Sequence, residues 1–245
     1  MKYYILGVLF LLTGCFTFRP SPEGFEEKQI QTENFSFAVW EKNTIESGKP
    51  FRLYIEGDGN PDPKYQIAKY FASIDESPNV IYTARPCQWN KDKICETEPS
   101  IYGANRFDID VLQEIQELTE YLMRKHHAPS IEVVGYDGGA VVALNLAAKL
   151  PVTRIITIAG ITDIDAYARY HGIKQSKDHT HFQPYEHIGT LAAIPQIHYV
   201  GSADQETPIR LVERFISKMP QPKSAKVLRV PGVDHTNWEG VHLDY

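Results

Sequence analysis

Three short stretches of the 245-residue chain combine residue types and spacings that could do chemistry. The first is Ile131-Glu132-Val133-Val134-Gly135-Tyr136-Asp137-Gly138-Gly139-Ala140, an apolar run passing through Gly-x-Asp-x-Gly into small helix-forming residues. Glycines around Asp137 permit a tight strand-to-helix turn with close backbone approach and strained angles at its centre. A carboxylate lifted out there sits at a helix N-terminus, whose dipole favours the ionised form. The second stretch, Ile197 to Asp204, is a strand running into a loop that ends on an acid. The third, Val230-Pro231-Gly232-Val233-Asp234-His235-Thr236, leaves a strand through a Pro-Gly turn and ends on an imidazole. Carboxylate, second acid and histidine are the groups needed for attack on carbon followed by activation of water. Asp204 also has a plain reading as a loop or cap residue ahead of Thr207-Pro208. His242 rivals His235, but it lies near a terminus with no element beneath it.

These residues need a scaffold, and the hydropathy pattern supplies one. Apolar, β-branched or aromatic runs recur at Phe35–Trp40, Phe51–Ile55, Val80–Thr83, Ile131–Val134, Ile155–Ile158, Ile197–Val200 and Val227–Val230. Several are continuous, as in strands buried on both faces. Helical patterns lie between them. Val111, Leu112, Ile115, Leu118 and Leu122 share one face, with Asp108 or Asp110 as the N-cap. Ala140–Leu150 is apolar nearly all round and stops at Pro151. Thr207-Pro208 opens a helix whose face is Ile209, Val212, Phe215, Ile216 and Met219, and Tyr65–Ile74 is a weaker fourth. Alternation of this kind predicts an α/β domain with a mostly parallel sheet covered on both faces. At 42% apolar content the chain suits one domain.

Placed between strand and buried helix, the Asp137 turn resembles the nucleophile elbow of the α/β-hydrolase superfamily. The order elbow, Asp204, His235 matches that family's nucleophile, acid and histidine. Tyr54-Ile55-Glu56-Gly57-Asp58-Gly59-Asn60 stands where the family takes an oxyanion-hole amide. The resemblance implies amides from the Gly57–Gly59 loop, Gly57 and Asp58 included, and from Gly138. It covers roughly residues 35–240 and is nearest to small bacterial lipoprotein members that pair a Glu-Gly-Asp-Gly loop with a short Cys-Cys loop. Their elbow ordinarily reads Gly-x-Ser-x-Gly. Asp137 therefore carries three readings. As a nucleophile it resembles haloalkane dehalogenases and epoxide hydrolases, which form an alkyl ester on Asp and hydrolyse it with His-activated water. Against that, the loop lacks their His-Gly-x-Pro, halide-binding tryptophans are not evident, and residues 160–195 are short for a cap and weakly helical. Alternatively, the triad keeps its form without serine chemistry, in an inactive envelope protein with a binding or structural role. In the third reading Asp137 simply caps the helix. No cofactor is implied, and an active protein takes a small-molecule substrate.

The chain ends frame the domain. Residues 1–14, with Lys2 and the apolar run Tyr3–Leu12, read as a secretory signal too short to span a membrane. Leu12-Thr13-Gly14-Cys15 resembles a lipobox, which implies lipidation of Cys15 and stable membrane attachment. Residues 15–34 then read as anchor and tether, and 35–245 as the catalytic-type domain. With Phe16 after the cysteine, the resemblance points to the periplasmic face of the outer membrane in a Gram-negative host. The remaining Cys87 and Cys95 read as a short-loop disulfide of an exported protein. A net charge of −6 without a basic stripe argues against nucleic acid. His171, His179, His181, Glu186 and His187 read as a solvated loop rather than a zinc site, since nothing fixes a third or fourth ligand. That loop, 161–194, could wall or lid a pocket through Tyr167, Tyr170, Phe182 and Tyr185.

Overall fold

The computed structural model describes residues 21–59, 65–89, 93–97, 106–174, 181–220 and 224–245. One eight-stranded sheet carries the fold, in the order β1-β2-β4-β3-β5-β6-β7-β8. Its strands are β1 Phe25–Gln31, β2 Ser36–Lys42, β3 Phe51–Ile55, β4 Val80–Thr83, β5 Ile131–Tyr136, β6 Val152–Ile158, β7 Gln196–Gly201 and β8 Ala225–Val230. β1, β2 and β4 pair antiparallel, and every pairing from β4 through β3, β5, β6 and β7 to β8 is parallel. This is the sheet of the α/β-hydrolase fold.

Side chains alternate across each strand, so neighbouring residues serve opposite cores. Leu53, Ile55, Val133 and Ile155 point to one layer with Val141, Leu144, Leu112 and Phe215, while Tyr54, Val134 and Ile156 point to another with Phe71, Trp40 and Trp238. The first layer is covered by α3 (Ile109–Lys125), α4 (Gly139–Lys149), α6 (Ile188–Ala192) and α7 (Ile209–Ser217). The second is covered by α1 (Ile67–Ile74) and the segment carrying Trp238 and Leu243. Both faces are thus closed, as continuous apolar strands require. Burial of α4 from Gly139 to Ala147 accounts for its all-round apolar sequence. Short α2 (Lys93–Thr97) and α5 (Ile164–His171) complete the elements.

Two boundaries differ from the sequence reading. The stretch 15–34, read as a tether, contains β1, which pairs with β2 along its whole length from Phe25↔Lys42 to Gln31↔Ser36. Only Phe25 of that strand is buried, and its polar neighbours suit an edge strand rather than a linker. The insertion at 160–195, read as weakly helical, holds α5, a 3₁₀ turn at Pro184–His187 and α6. Asp163 caps α5 by accepting from the Ala166 amide at 2.9 Å, and Gly172 ends it in the left-handed region. A disulfide joins Cys87 and Cys95, with Cα atoms 5.6 Å apart. Cys15, the signal and the tether up to Pro20 lie outside the described residues. Among the described residues no helix is long and apolar enough to cross a membrane.

Candidate active site

Asp137 sits between β5 and α4 with φ at +48°, in the left-handed region. For a residue other than glycine that costs about 1–2 kcal/mol, with Asp among the more tolerant. The turn is over-determined: the Asp137 amide donates to Ile158 O at 3.0 Å, and its carbonyl accepts from Ile161 N at 3.0 Å. Two glycines are dictated by space. A Cβ on Gly139 would overlap the carbonyls of Ile55 and Glu56 at the end of β3, and one on Gly138 would overlap the Asp58 carboxylate. The elbow therefore packs directly against the loop that follows β3.

The fold brings Asp137, Asp204 and His235 together from three strand ends. His235 Nδ1 lies 3.1 Å from Asp204 Oδ2, and its Nε2 lies 3.6 Å from Asp137 Oδ1. Asp204 also accepts from the Glu206 and Thr207 amides at 2.8 and 2.9 Å and from the Thr207 hydroxyl at 2.8 Å. It is thus both the loop residue of its plain reading and the imidazole's partner. The His235 carbonyl accepts from Tyr136 Oη at 3.1 Å and Trp238 Nε1 at 2.9 Å, which pins the histidine loop to the elbow and to the buried Trp238. His242 is exposed on the C-terminal segment beside Arg52 and Asp75.

Opposite the histidine, the Asp58 amide donates to Asp137 Oδ2 at 3.2 Å. Gly57 behaves differently from the reading that made it a donor to the same hole. Its amide donates to Glu56 Oε1 at 3.0 Å, because Glu56 is fully buried and collects donors. Tyr82 Oη at 3.0 Å and the first amides of α1 at 3.4 Å are the others. Burial still pushes the Glu56 carboxyl up to about 7. The Asp58 side chain is clamped by Arg85 and by Arg106, the latter at 2.6 Å. Gln88 Nε2 donates to the carbonyls of Gly57 and Gly59 at 2.9 and 3.0 Å.

Electrostatically the two aspartates part company. Burial, and then the nearby Asp58 charge, push Asp137 up to about 6, against the opposing pull of His235 and the Asp58 and Gly138 amides. The helix end alone does not keep it fully in the usual carboxylate range. Burial also acts on Asp204, but the His235 hydrogen bond and charge and the Thr207 donors outweigh it and hold the group below that range. Burial lowers His235, yet the Asp204 hydrogen bond and the Asp137 and Asp204 charges leave it raised.

Arg85, Arg106, Gln88 and Tyr136 were not singled out by the sequence. Arg85 and Gln88 follow β4, whose end lies beside that of β3 through the pairing Ile55↔Thr83, so a strand-end position was their only signal. In the insertion, burial raises the Tyr167 hydroxyl, and the Asp137 charge adds to the rise. The histidines there are engaged singly rather than solvated. His181 Nδ1 lies 2.7 Å from Asp108 Oδ1, His171 Nε2 lies 2.7 Å from Glu206 O, and His187 stacks on Phe182. His179 lies outside the described residues. Among the described residues no group of three or more potential metal ligands forms.

No protein-family profile matches the sequence, and no curated protein matches it. Solved structures do. An alpha-beta serine hydrolase homologue from Coxiella burnetii is similar over 88% of this chain and 90% of its own, with a TM-score of 0.60 at 14% identity. Est1E from Butyrivibrio proteoclasticus aligns over 86% and 90%, with a TM-score of 0.61 at 14% identity. An esterase from Pyrococcus furiosus aligns over 88% and 84%, with a TM-score of 0.61 at 12% identity. At such identities the likeness is one of fold, and the fold is that of the α/β-hydrolases.

Proposed function

We propose that the chain is a hydrolase that works through a covalent ester on Asp137, taking small electrophiles such as epoxides or haloalkanes. The observation that carries this reading is the division of labour between the two carboxylate oxygens of Asp137. Oδ2 accepts from the Asp58 amide, and Oδ1 faces His235 Nε2. Oδ1 attacks carbon and forms an alkyl ester on Asp137 as halide departs to solvent, or as the epoxide ring opens to an alkoxide that takes a proton from solvent. His235 Nε2 then takes a proton from water as the water oxygen adds to the Asp137 carboxyl carbon. Charge develops on Oδ2, where the Asp58 and Gly138 amides receive it. Collapse breaks the bond between the carboxyl carbon and the original Oδ1, the imidazolium, stabilised by Asp204, gives its proton to the departing alcohol, and the new Asp137 carboxyl ionises to solvent.

A second reading is favoured by one observation: the His235 ring stands between two carboxylates, with Asp204 Oδ2 3.1 Å from Nδ1 and Asp137 Oδ1 3.6 Å from Nε2, an arrangement that favours the imidazolium. An imidazolium cannot accept a proton, and a charge pair near 4 Å is worth about 4 kcal/mol at an effective dielectric of about 20. A permanently charged His235 leaves a scaffold without turnover, suited to a binding or structural role. Ester, epoxide and haloalkane substrates offered to wild type and to Asp137→Ala separate the two. Turnover lost in the variant supports the nucleophile; turnover that survives unchanged rejects it.

The sequence supports export and lipidation at Cys15, which would place the domain on the cell envelope, at the periplasmic face of the outer membrane in a Gram-negative cell. With β1 starting at Phe25, few residues separate that anchor from the folded domain. Incorporation of labelled fatty acid into wild type and its absence in Cys15→Ala tests the anchor.

A further inference from the structure

The Gly57–Gly59 loop has little of its own to hold it: two of its three residues lack a side chain, and glycine leaves the backbone unusually free. Its restraint arrives from the turn after β4. Gln88 is buried, and all of its usual hydrogen-bonding directions but one are used. Nε2 donates to the carbonyls on either side of Asp58, and Oε1 accepts from the Arg85 amide at 2.9 Å. The same turn supplies the Arg85 guanidinium to the Asp58 carboxylate. Asp58 is therefore held through the carbonyls of the residues before and after it and through its own side chain, while its amide points to Asp137 Oδ2. The turn is itself held. Gln88 N donates to Arg85 O at 3.1 Å, Cys87 and Trp89 both sit at φ +66°, and Cys87 is tied to Cys95. Only a carboxamide fits: Glu would face two carbonyls with an anion, and Leu would offer no donor.

We propose that Gln88 is the positioning residue of this loop, setting the Asp58 amide against Asp137, and that the Cys87–Cys95 disulfide holds Gln88 in place to do so. This rests on the reading of Asp58 as a donor to the Asp137 carboxylate and deepens it, but its test needs no turnover. The Asp137 and Asp204 carboxyl carbons are followed by NMR against pH in the full chain, in wild type, Gln88→Leu and the Cys87→Ser/Cys95→Ser double variant. Loss of the Asp58 donor raises the Asp137 midpoint by about half a pH unit or more in Gln88→Leu, and in the same direction in the double variant. The Asp204 midpoint stays where it is, which a general loosening would not allow. An unmoved Asp137 midpoint, or equal movement of both aspartates, overturns the proposal. Should Gln88→Leu fail to fold, wild type alone decides. The Gln88 carboxamide protons and the Asp58 amide then exchange far more slowly than the carboxamide of the exposed Gln113. Gln88 protons exchanging as fast as those of Gln113 overturn the proposal equally. A wild type inert toward every substrate rejects the hydrolase reading and leaves these readouts intact.

Discussion

Asp137 and Asp204 are both withdrawn from solvent at the ends of parallel strands, both touch His235, and their carboxyl groups are driven in opposite directions. Asp204 accepts from two amides, a hydroxyl and the imidazole. Asp137 has the Asp58 and Gly138 amides, an imidazole nitrogen 3.6 Å away, and a second carboxylate as neighbour. Burial pushes both groups up; Asp137 stays up because the Asp58 charge adds to it, and Asp204 comes down because His235 and the Thr207 donors outweigh it. Two acids so separated by environment are suited to different tasks, one to remain an anion that orients the histidine and one to react.

Removing Asp137, the proposed nucleophile, is the strongest way to break this contrast. Asp137→Ala should lower turnover about 10⁴-fold or more, read as kcat/KM on the best epoxide or haloalkane, whereas Asp137→Ser should exchange that activity for ester cleavage if the rest of the site is intact. Next in size, His235→Gln should cut steady turnover by about 10²- to 10⁴-fold while still allowing the first chemical step. The ester on Asp137 should then accumulate and appear as an intact-mass adduct equal to the whole epoxide, or to the haloalkane less hydrogen halide. An inert, adduct-free His235→Gln protein places the histidine in the first step instead.

The pH dependence sharpens the same comparison. Alkylation needs ionised Asp137, so its rate should rise through about pH 6, and ester hydrolysis needs neutral His235, so its rate should rise as the imidazolium, still held by Asp204 but no longer by the Asp137 charge that the ester removes, gives up its proton. Pre-steady-state rates measured from pH 5 to 9 should show two separate limbs. The smallest effect is on stability, and its sign differs between the acids. Asp137, raised on folding to about 6, contributes stability that is full below the ordinary aspartate value and lost as pH rises through 6. Asp204, lowered on folding, contributes stability present above the ordinary value and lost as pH falls through its folded one. Melting curves should accordingly show Asp137→Asn gaining on wild type between about pH 4 and 7, and Asp204→Asn losing ground only below about pH 4, as pH rises toward the ordinary aspartate value, and running parallel to wild type above it. The same slope in both variants removes the distinction.

How far the sequence carried depends on whether a feature is local. The buried strands and α4 announce themselves by continuous apolar runs, and the elbow by its glycines. Asp204 and His235 follow from their places after β7 and β8. β1 escaped because an edge strand with one buried residue is as polar as a linker. α5 carried its own signals in Asp163 and Gly172, eight helical residues apart, but its apolar face is short. Arg85 and Gln88 reach Asp58 and Gly57 across 27 and 31 positions, a pairing that the side-by-side ends of β3 and β4 create, and Arg106 reaches Asp58 across 48 from the segment ahead of α3. The raised Asp137 was equally hidden, since the Asp58 charge beside it is 79 positions away in the chain.

Oxygen labelling in a single turnover tests the central claim most directly. With enzyme in excess over substrate in heavy-oxygen water, covalent hydrolysis through Asp137 predicts a first product carrying ordinary oxygen. The peptide containing Asp137 gains about two mass units, because the carboxylate gives up Oδ1 and takes its replacement from water. Heavy oxygen in the first product, with Asp137 unlabelled, would mean that water attacks the substrate directly and that Asp137 is not the nucleophile.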